Sequence, residues 1–513
     1  MEVSRREVLR LLGAAGVTAA GAELAAACGG GGSGDVGGHG AGSGSPASSA
    51  GAATLRFPAG FGWGAATSAY QIEGAATADG RGESIWDRFC AGSGHIVDGS
   101  SGAVAADHYH RYRADLDLMR DLGLRSYRFS ISWPRIQPTG SGRPNQRGLD
   151  FYRRLVDGLS SRSIRPMATL FHWDLPQALQ DRGGWENRAT ADRFADYASI
   201  VFAALGADVP VWLTLNEPKT VVNVGYLSGQ HAPGKQDESA AYVALHHMLL
   251  AHGKAVQAFR AAATGQRIGP ALNLTPVYPA AGSASGDSAS GDSASGNSAT
   301  GNSATGNAAA VTQADGLENR LYLDPIFHGR YPPDMLDYIS SRSPMADRIR
   351  DSDLATIGSA IDILGVQYYT PAYVTETGEY VNLRPRSEAT WQQIYPQGLY
   401  DLLVRLAKDY GTVPVTITEN GVPTPDEPGP DGTVADAQRV TFLHDHLVAA
   451  HRALAAGVRL ESFHVWSLMD NFEWAEGYTQ RWGMVFVDFD SQKRIPKQSA
   501  RWYRDVIRAN ALR

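Results

Sequence analysis

Cysteine is nearly missing from this 513-residue chain, which holds only Cys28 and Cys90. Two thiols build no disulfide framework, and once Cys28 is consumed by a lipid, Cys90 has no partner in any redox compartment. Cys90 lies among aromatics and reads as a buried small apolar residue. Metal motifs are lacking too: there is no His-Glu-x-x-His run, so neither a metal site nor a cofactor is expected. Nor is there a basic excess. Lys and Arg number 46 against 53 Asp and Glu, a net charge of −7, and no basic stripe offers a phosphate backbone a landing surface. Nucleic-acid binding is thereby excluded. The glycines of Phe61-Gly62-Trp63-Gly64 do not have the spacing of a phosphate-binding turn. Finally, the apolar stretch from Leu11 to Ala22 is too short and too rich in Gly and Ala to span a bilayer.

That stretch belongs instead to an address. Ser4-Arg5-Arg6-Glu7-Val8-Leu9-Arg10 resembles a twin-arginine export motif, and Leu24-Ala25-Ala26-Ala27-Cys28 resembles a lipoprotein cleavage box. Residues 1–28 therefore read as an export signal with Cys28 as the lipidation site, which makes the protein extracytoplasmic and membrane-anchored. Residues 29–54, mostly Gly, Ser and Ala, read as a flexible tether.

From residue 55 onward, short apolar strands alternate with amphipathic helices, the pattern of a parallel α/β architecture. Eight strands are expected, at 61–67, 126–132, 165–171, 210–215, 268–274, 363–369, 414–418 and 460–468. Helices are expected at 109–122, 148–160 and 438–456 among others, where apolar residues recur at helical spacing. Eight such units fit one closed (β/α)₈ TIM barrel spanning 55–513. An open doubly wound sheet is the runner-up, but it normally carries the phosphate loop that this chain lacks. Within 281–309, four copies of Gly-(Asp/Asn)-Ser-Ala-(Ser/Thr) cannot bury apolar area and are expected to form a loop.

The expected strand ends carry the chemistry. Thr214-Leu215-Asn216-Glu217-Pro218 and Thr416-Ile417-Thr418-Glu419-Asn420-Gly421 each place one glutamate where a β-branched run gives way to a loop. Two carboxyls at the mouths of different strands suit displacement at a sugar's anomeric carbon, one holding a proton and the other ionised. Other strand ends supply Gln71, His172, Trp173, Tyr369, Trp466, Glu473 and Trp474. A pyranose needs such amides, imidazoles and carboxylates for its hydroxyls and an aromatic face for its C–H side. The content of 11 Trp and 21 Tyr agrees.

These motifs resemble those of the retaining β-glucosidases of glycoside hydrolase family 1, from about residue 57 to 506. The likeness rests on the run Phe61 to Ala75, on Tyr127-Arg128-Phe129-Ser130, on His172-Trp173-Asp174-Leu175-Pro176 and on Trp466 to Trp474, besides the two glutamate motifs. The resemblance implies Glu217 as general acid/base and Glu419 as nucleophile, with Arg128 and Tyr369 steadying Glu419. It implies Asn216 at the sugar's 2-hydroxyl, Gln71, His172, Trp173, Glu473 and Trp474 around the other hydroxyls, and Trp466 beneath the ring. The substrate class it implies is a small β-glucoside or short oligosaccharide, with β-galactosides, β-fucosides and transglycosylation as side activities. The two carboxyl carbons are then expected ~5–5.5 Å apart, the spacing for retention.

Three positions depart from the family pattern. Gln367 stands where Asn is usual and Thr416 where Tyr is common, while Trp482 replaces a Phe at the sugar's C6 end. Trp391, in the entrance region, falls one residue out of step and receives no role. Two other readings compete. A 6-phospho-β-glycosidase is opposed by Glu473, whose carboxylate would repel a phosphate dianion. A non-catalytic glycan-binding surface lipoprotein is opposed by the retention of both glutamates with their supporting residues.

Overall fold

The computed structural model describes residues 54–280, 301–411 and 413–513, the side chains of 301–307 excepted. The export signal with Cys28, nearly all of the tether and the first part of the repeat lie outside the described residues. Eight parallel strands close into a barrel in chain order. They are β1 (Gly62–Ala66), β2 (Ser126–Ser130), β3 (Arg165–Phe171), β4 (Val211–Asn216), β5 (Arg267–Asn273), β6 (Leu364–Gln367), β7 (Val415–Glu419) and β8 (Leu460–Trp466). Around it pack α1 (His108–Asp121), α2 (Gln146–Ser160), α3 (Ala189–Leu205), α4 (Glu238–Ala262), α5 (Leu321–His328), α6 (Pro396–Tyr410), α7 (Ala437–Ala455) and α8 (Gln498–Ala509). This is the (β/α)₈ barrel that the alternation predicts, not its runner-up, the open doubly wound sheet.

The pleat assigns the two faces. Tyr127 and Phe129 of β2 belong to the large core against the helices, while Ser126 and Arg128 alternate with them and point inward. A separate small cluster of Met167, Val211, Leu213, Ala271 and Ile363 fills the barrel interior on the β3–β6 side. Opposite it, the His464 ring crosses the interior, contacting the Ser126 hydroxyl at 2.9 Å and the Ile417 carbonyl at 3.0 Å. It fits because β1 is glycine there: a Cβ on Gly64 would lie 2.3 Å from that ring. Burial lowers His464 to about 4, so the imidazole is neutral.

Several expected boundaries are corrected. Strands expected at 126–132, 363–369 and 460–468 end at Ser130, Gln367 and Trp466. The residues past these ends leave the ladder for side-chain contacts at the rim, as where the Tyr369 hydroxyl reaches Glu419. The repeat region read as a loop over 281–309 ends differently: Gly301–Asp315 is helical. Ala308–Ala310 and Ala314 supply the helix propensity that outweighs the polar repeat. Cys90 is half-buried, its Sγ 3.5 Å from the Tyr70 hydroxyl. Three short sheets also decorate the barrel: Leu55–Arg56 with Ala511–Leu512, Val485–Asp488 with Lys493–Pro496, and a three-stranded one including Ala372–Val374. Among the described residues no helix is long and apolar enough to cross a membrane.

Candidate active site

Both glutamates sit where a strand breaks its own pleat. Ile417 of β7 faces the outer core, so Glu419 two residues later would face outward if the alternation continued. The pairing of β7 with β6 shifts register between Ile417 and Glu419, which turns the carboxyl inward. On β4 the same device acts between Leu213 and Asn216. Glu217 follows in the left-handed region, φ 46°, with Pro218 opening a helical turn. Behind Glu419, Gly421 is obligatory, since a Cβ there would stand 1.8 Å from the Trp466 carbonyl.

The two carboxyls have different partners. Oε1 of Glu419 pairs with the guanidinium of Arg128, and Oε2 accepts the Tyr369 hydroxyl at 2.7 Å. Glu217 has no such cation bonded to it; its Oε2 accepts from Thr220 Oγ1 at 2.7 Å. Lys219, two residues on, is committed to Glu318 at 2.6 Å and Thr275 at 2.9 Å. Burial, then the charge of Glu419, pushes Glu217 up to about 8. Burial raises Glu419 as well, but Arg128 and the Tyr369 phenol pull it back. Of the two, Glu419 therefore ionises first and Glu217 keeps the proton.

Around this pair the expected residues converge. Arg128 donates to Asn216 Oδ1 at 2.6 Å, and Asn216 Nδ2 lies 3.0 Å from His172 Nε2. The Trp173 indole donates to the Asn216 carbonyl at 3.0 Å. His172 is held neutral by burial, with Arg128 adding to the effect, and its ring stacks 5.9 Å from Trp466. Gln71 Nε2 donates to Asn471 at 3.0 Å and to Glu473 at 3.3 Å. Glu473 is pushed up to about 8 by burial and then by Glu419. Trp474 is wedged between Trp86 and Trp173, with ring centroids at 4.5 and 4.6 Å. Trp482 packs edge-on to Tyr369 at 5.9 Å in a cluster with Trp466 and Ala66. Thr416, deeper in the barrel, bonds the Ser462 hydroxyl and stays out of this constellation.

The sequence reading gave no role to two residues. Thr220 is the direct donor to Glu217, and its own hydroxyl lies 3.4 Å from Asn273 Nδ2. Trp391, half-exposed, stacks on Trp482 at 6.2 Å and meets Tyr369 edge-on at 5.9 Å, extending the aromatic wall toward solvent. A lone Trp in the polar run Ser387-Glu388-Ala389-Thr390-Trp391-Gln392 was the available signal. Among the described residues no group of three or more His, Cys, Asp or Glu is arranged to hold a metal ion.

Comparison with known proteins agrees with this fold. The sequence model of glycosyl hydrolase family 1 matches residues 53–512. The chain belongs to that family. It is similar to β-glucosidase A of Acetivibrio thermocellus, 44% identical over 468 residues, covering 89% of this chain and 99% of that one. A bifunctional β-D-glucosidase/β-D-fucosidase of Bifidobacterium breve is 40% identical, with 90% and 100% covered. Among solved structures, the Thermotoga maritima β-glucosidase in complex with glucoimidazole superposes with a TM-score of 0.82 at 41% identity, over 89% of this chain and all of that one. The chain thus matches these family 1 members over essentially their whole length.

Proposed function

We propose that this protein is an exported, membrane-tethered retaining β-glucosidase that releases terminal β-D-glucosyl residues from small β-glucosides or short oligosaccharides. The observation that carries the reading is the unequal provisioning of two buried glutamates at one barrel mouth, a cation and a phenol on Glu419 but only a hydroxyl on Glu217. The family 1 β-glucosidases that match the chain over their whole length support the substrate class.

In the first step the ionised Glu419 attacks the anomeric carbon, forming a glycosyl ester as the bond to the leaving oxygen breaks. Glu217 gives its proton to that oxygen, so the aglycone departs as a neutral alcohol. The ester neutralises Glu419, which removes the charge that had raised Glu217. Glu217, now a carboxylate, takes a proton from water. The hydroxide equivalent attacks the anomeric carbon from the face the aglycone left, and Glu419 is released as a carboxylate. Two inversions give net retention. An alcohol in place of water gives transglycosylation by the same steps.

Asn216, held by Arg128, presents its amide to the sugar's 2-hydroxyl. Gln71, His172, Glu473 and Trp474 take the remaining hydroxyls, with Trp466 under the ring. A β-D-fucoside lacks the 6-hydroxyl and carries its 4-hydroxyl in the galacto orientation; each unmade hydrogen bond costs about 1–3 kcal/mol, so slower turnover of fucosides is expected. The fucosidase function in the name of the B. breve relative supports this. A 6-phospho substrate would set its dianion against the carboxyls instead.

Hydrolysis of 4-nitrophenyl β-glucoside tests the reading. Wild type should release nitrophenol and Glu419→Ala should not; binding without release in both would make the protein a lectin. Export and lipid attachment are tested by labelling with a radioactive fatty acid. Label is expected in wild type and absent from Cys28→Ala, and an unlabelled wild type would leave no anchor.

A further inference from the structure

Asn216 is held from several sides, and donor chemistry fixes which way its amide points. Arg128 can only donate, so the Asn216 atom 2.6 Å from its Nη2 is the carbonyl Oδ1. Gln367 meets the same oxygen at 2.7 Å, so the Gln367 atom there is Nε2. Two donors on one carbonyl pin the amide, and Nδ2 is left to face His172 Nε2. One hydrogen of that Nδ2 remains for another partner.

The same logic fixes Gln367, whose Oε1 is buried without a hydrogen-bond partner although the residue is wholly shielded from solvent. Gln367 ends β6, paired in register with Glu419 on one side and Asn273 on the other, so its side chain belongs to the barrel mouth. Buried carbonyls without a donor are uncommon, and each calls for an explanation. A donor brought by the substrate is such an explanation. A sugar hydroxyl can accept from one amide and donate to another at once, and Asn216 Nδ2 and Gln367 Oε1 are a free donor and a free acceptor on neighbouring side chains.

We infer that Gln367 is a positioning residue, locking the Asn216 amide toward the sugar's 2-hydroxyl and accepting that hydroxyl's proton in a hydrogen bond through Oε1. The inference rests on the reading of Asn216 given above. An asparagine at 367 would fall short by one methylene, about 1.5 Å, and could not reach Asn216 in the same way.

The test is kcat/KM for 4-nitrophenyl β-glucoside and for its 2-deoxy analogue, with wild type, Gln367→Met, Gln367→Asn and Asn216→Ala. Gln367→Met is expected to lose about tenfold or more on the glucoside, the worth of a lost substrate hydrogen bond, and under about twofold on the 2-deoxy substrate. Gln367→Asn should show a smaller loss of the same selectivity, and it carries the test if the methionine variant fails to fold. A purely structural role would lower both substrates together. Equal losses on the two, or none, overturn the proposal. If Asn216→Ala discriminates between the substrates and neither Gln367 variant does, the role of Gln367 alone is wrong. If Asn216→Ala also fails to discriminate, the reading of Asn216 falls with it.

Discussion

The ends of β4 and β7 hold the same side chain at nearly the same depth, yet they hold it in different states. Glu217 and Glu419 are both buried, and burial raises both. The difference lies in what each strand end was given. Glu419 has Arg128 and Tyr369 on its two oxygens, whereas Glu217 has Thr220 and the field of Glu419 itself. Depth in the barrel therefore sets how costly a charge is, and the partners decide which carboxyl bears it.

The strongest way to break the comparison is to delete its charged member. Glu419→Gly should lower kcat by about 10⁵-fold, with azide or formate restoring turnover by filling the space. A variant that is not rescued would remove Glu419 from the reaction. Next, Arg128→Gln removes the cation. Turnover should fall by about 10²–10³-fold, and because the pair is buried the fold should lose about 3–5 kcal/mol, read from denaturant melts. An unchanged melt would mean that the ion pair is not made.

Glu217→Ala attacks the other member. Alkyl glucosides, whose leaving group needs a proton, should slow by about 10²–10⁴-fold, and activated aryl glucosides far less. Its pH profile sharpens the contrast. Wild-type activity needs Glu217 protonated, so the rate should fall as pH rises through about 8; the variant should lose that limb on aryl substrates. Smaller still is Tyr369→Phe. Losing a hydrogen bond to the charged form favours protonation of Glu419, so the acid limb should move to higher pH. The rate should drop about tenfold. A fixed acid limb would mean that Arg128 alone sets the ionisation.

Much of this was readable from sequence because the barrel repeats one simple rule. The strands are short, buried runs, β-branched in Val415–Glu419, and polar or aromatic residues stand at their ends, as in Asn216-Glu217 or Glu419-Asn420. The rim was harder to read. Tyr368 and Tyr369 look like strand continuation, but the ladder stops at Gln367 and their roles come from the turn that follows. The register shifts that turn Glu419 and Asn216 inward leave no mark in the pattern, because an offset in pairing is set by the neighbouring strand and not by the residues of the strand itself. Thr220 and Trp391 lie in segments with no strand or helix period to place them, and only the tertiary contacts bring them to the site. The helix at Gly301–Asp315 shows the reverse case, where local alanine content overrode a reading made from low complexity.

The stereochemistry of the first-formed product tests the central claim most directly. Proton NMR of a β-glucoside being hydrolysed, followed before mutarotation, should show β-glucose appearing first, as two displacements through Glu419 require. If α-glucose appears first, water has attacked in a single step, and Glu419 is not the nucleophile.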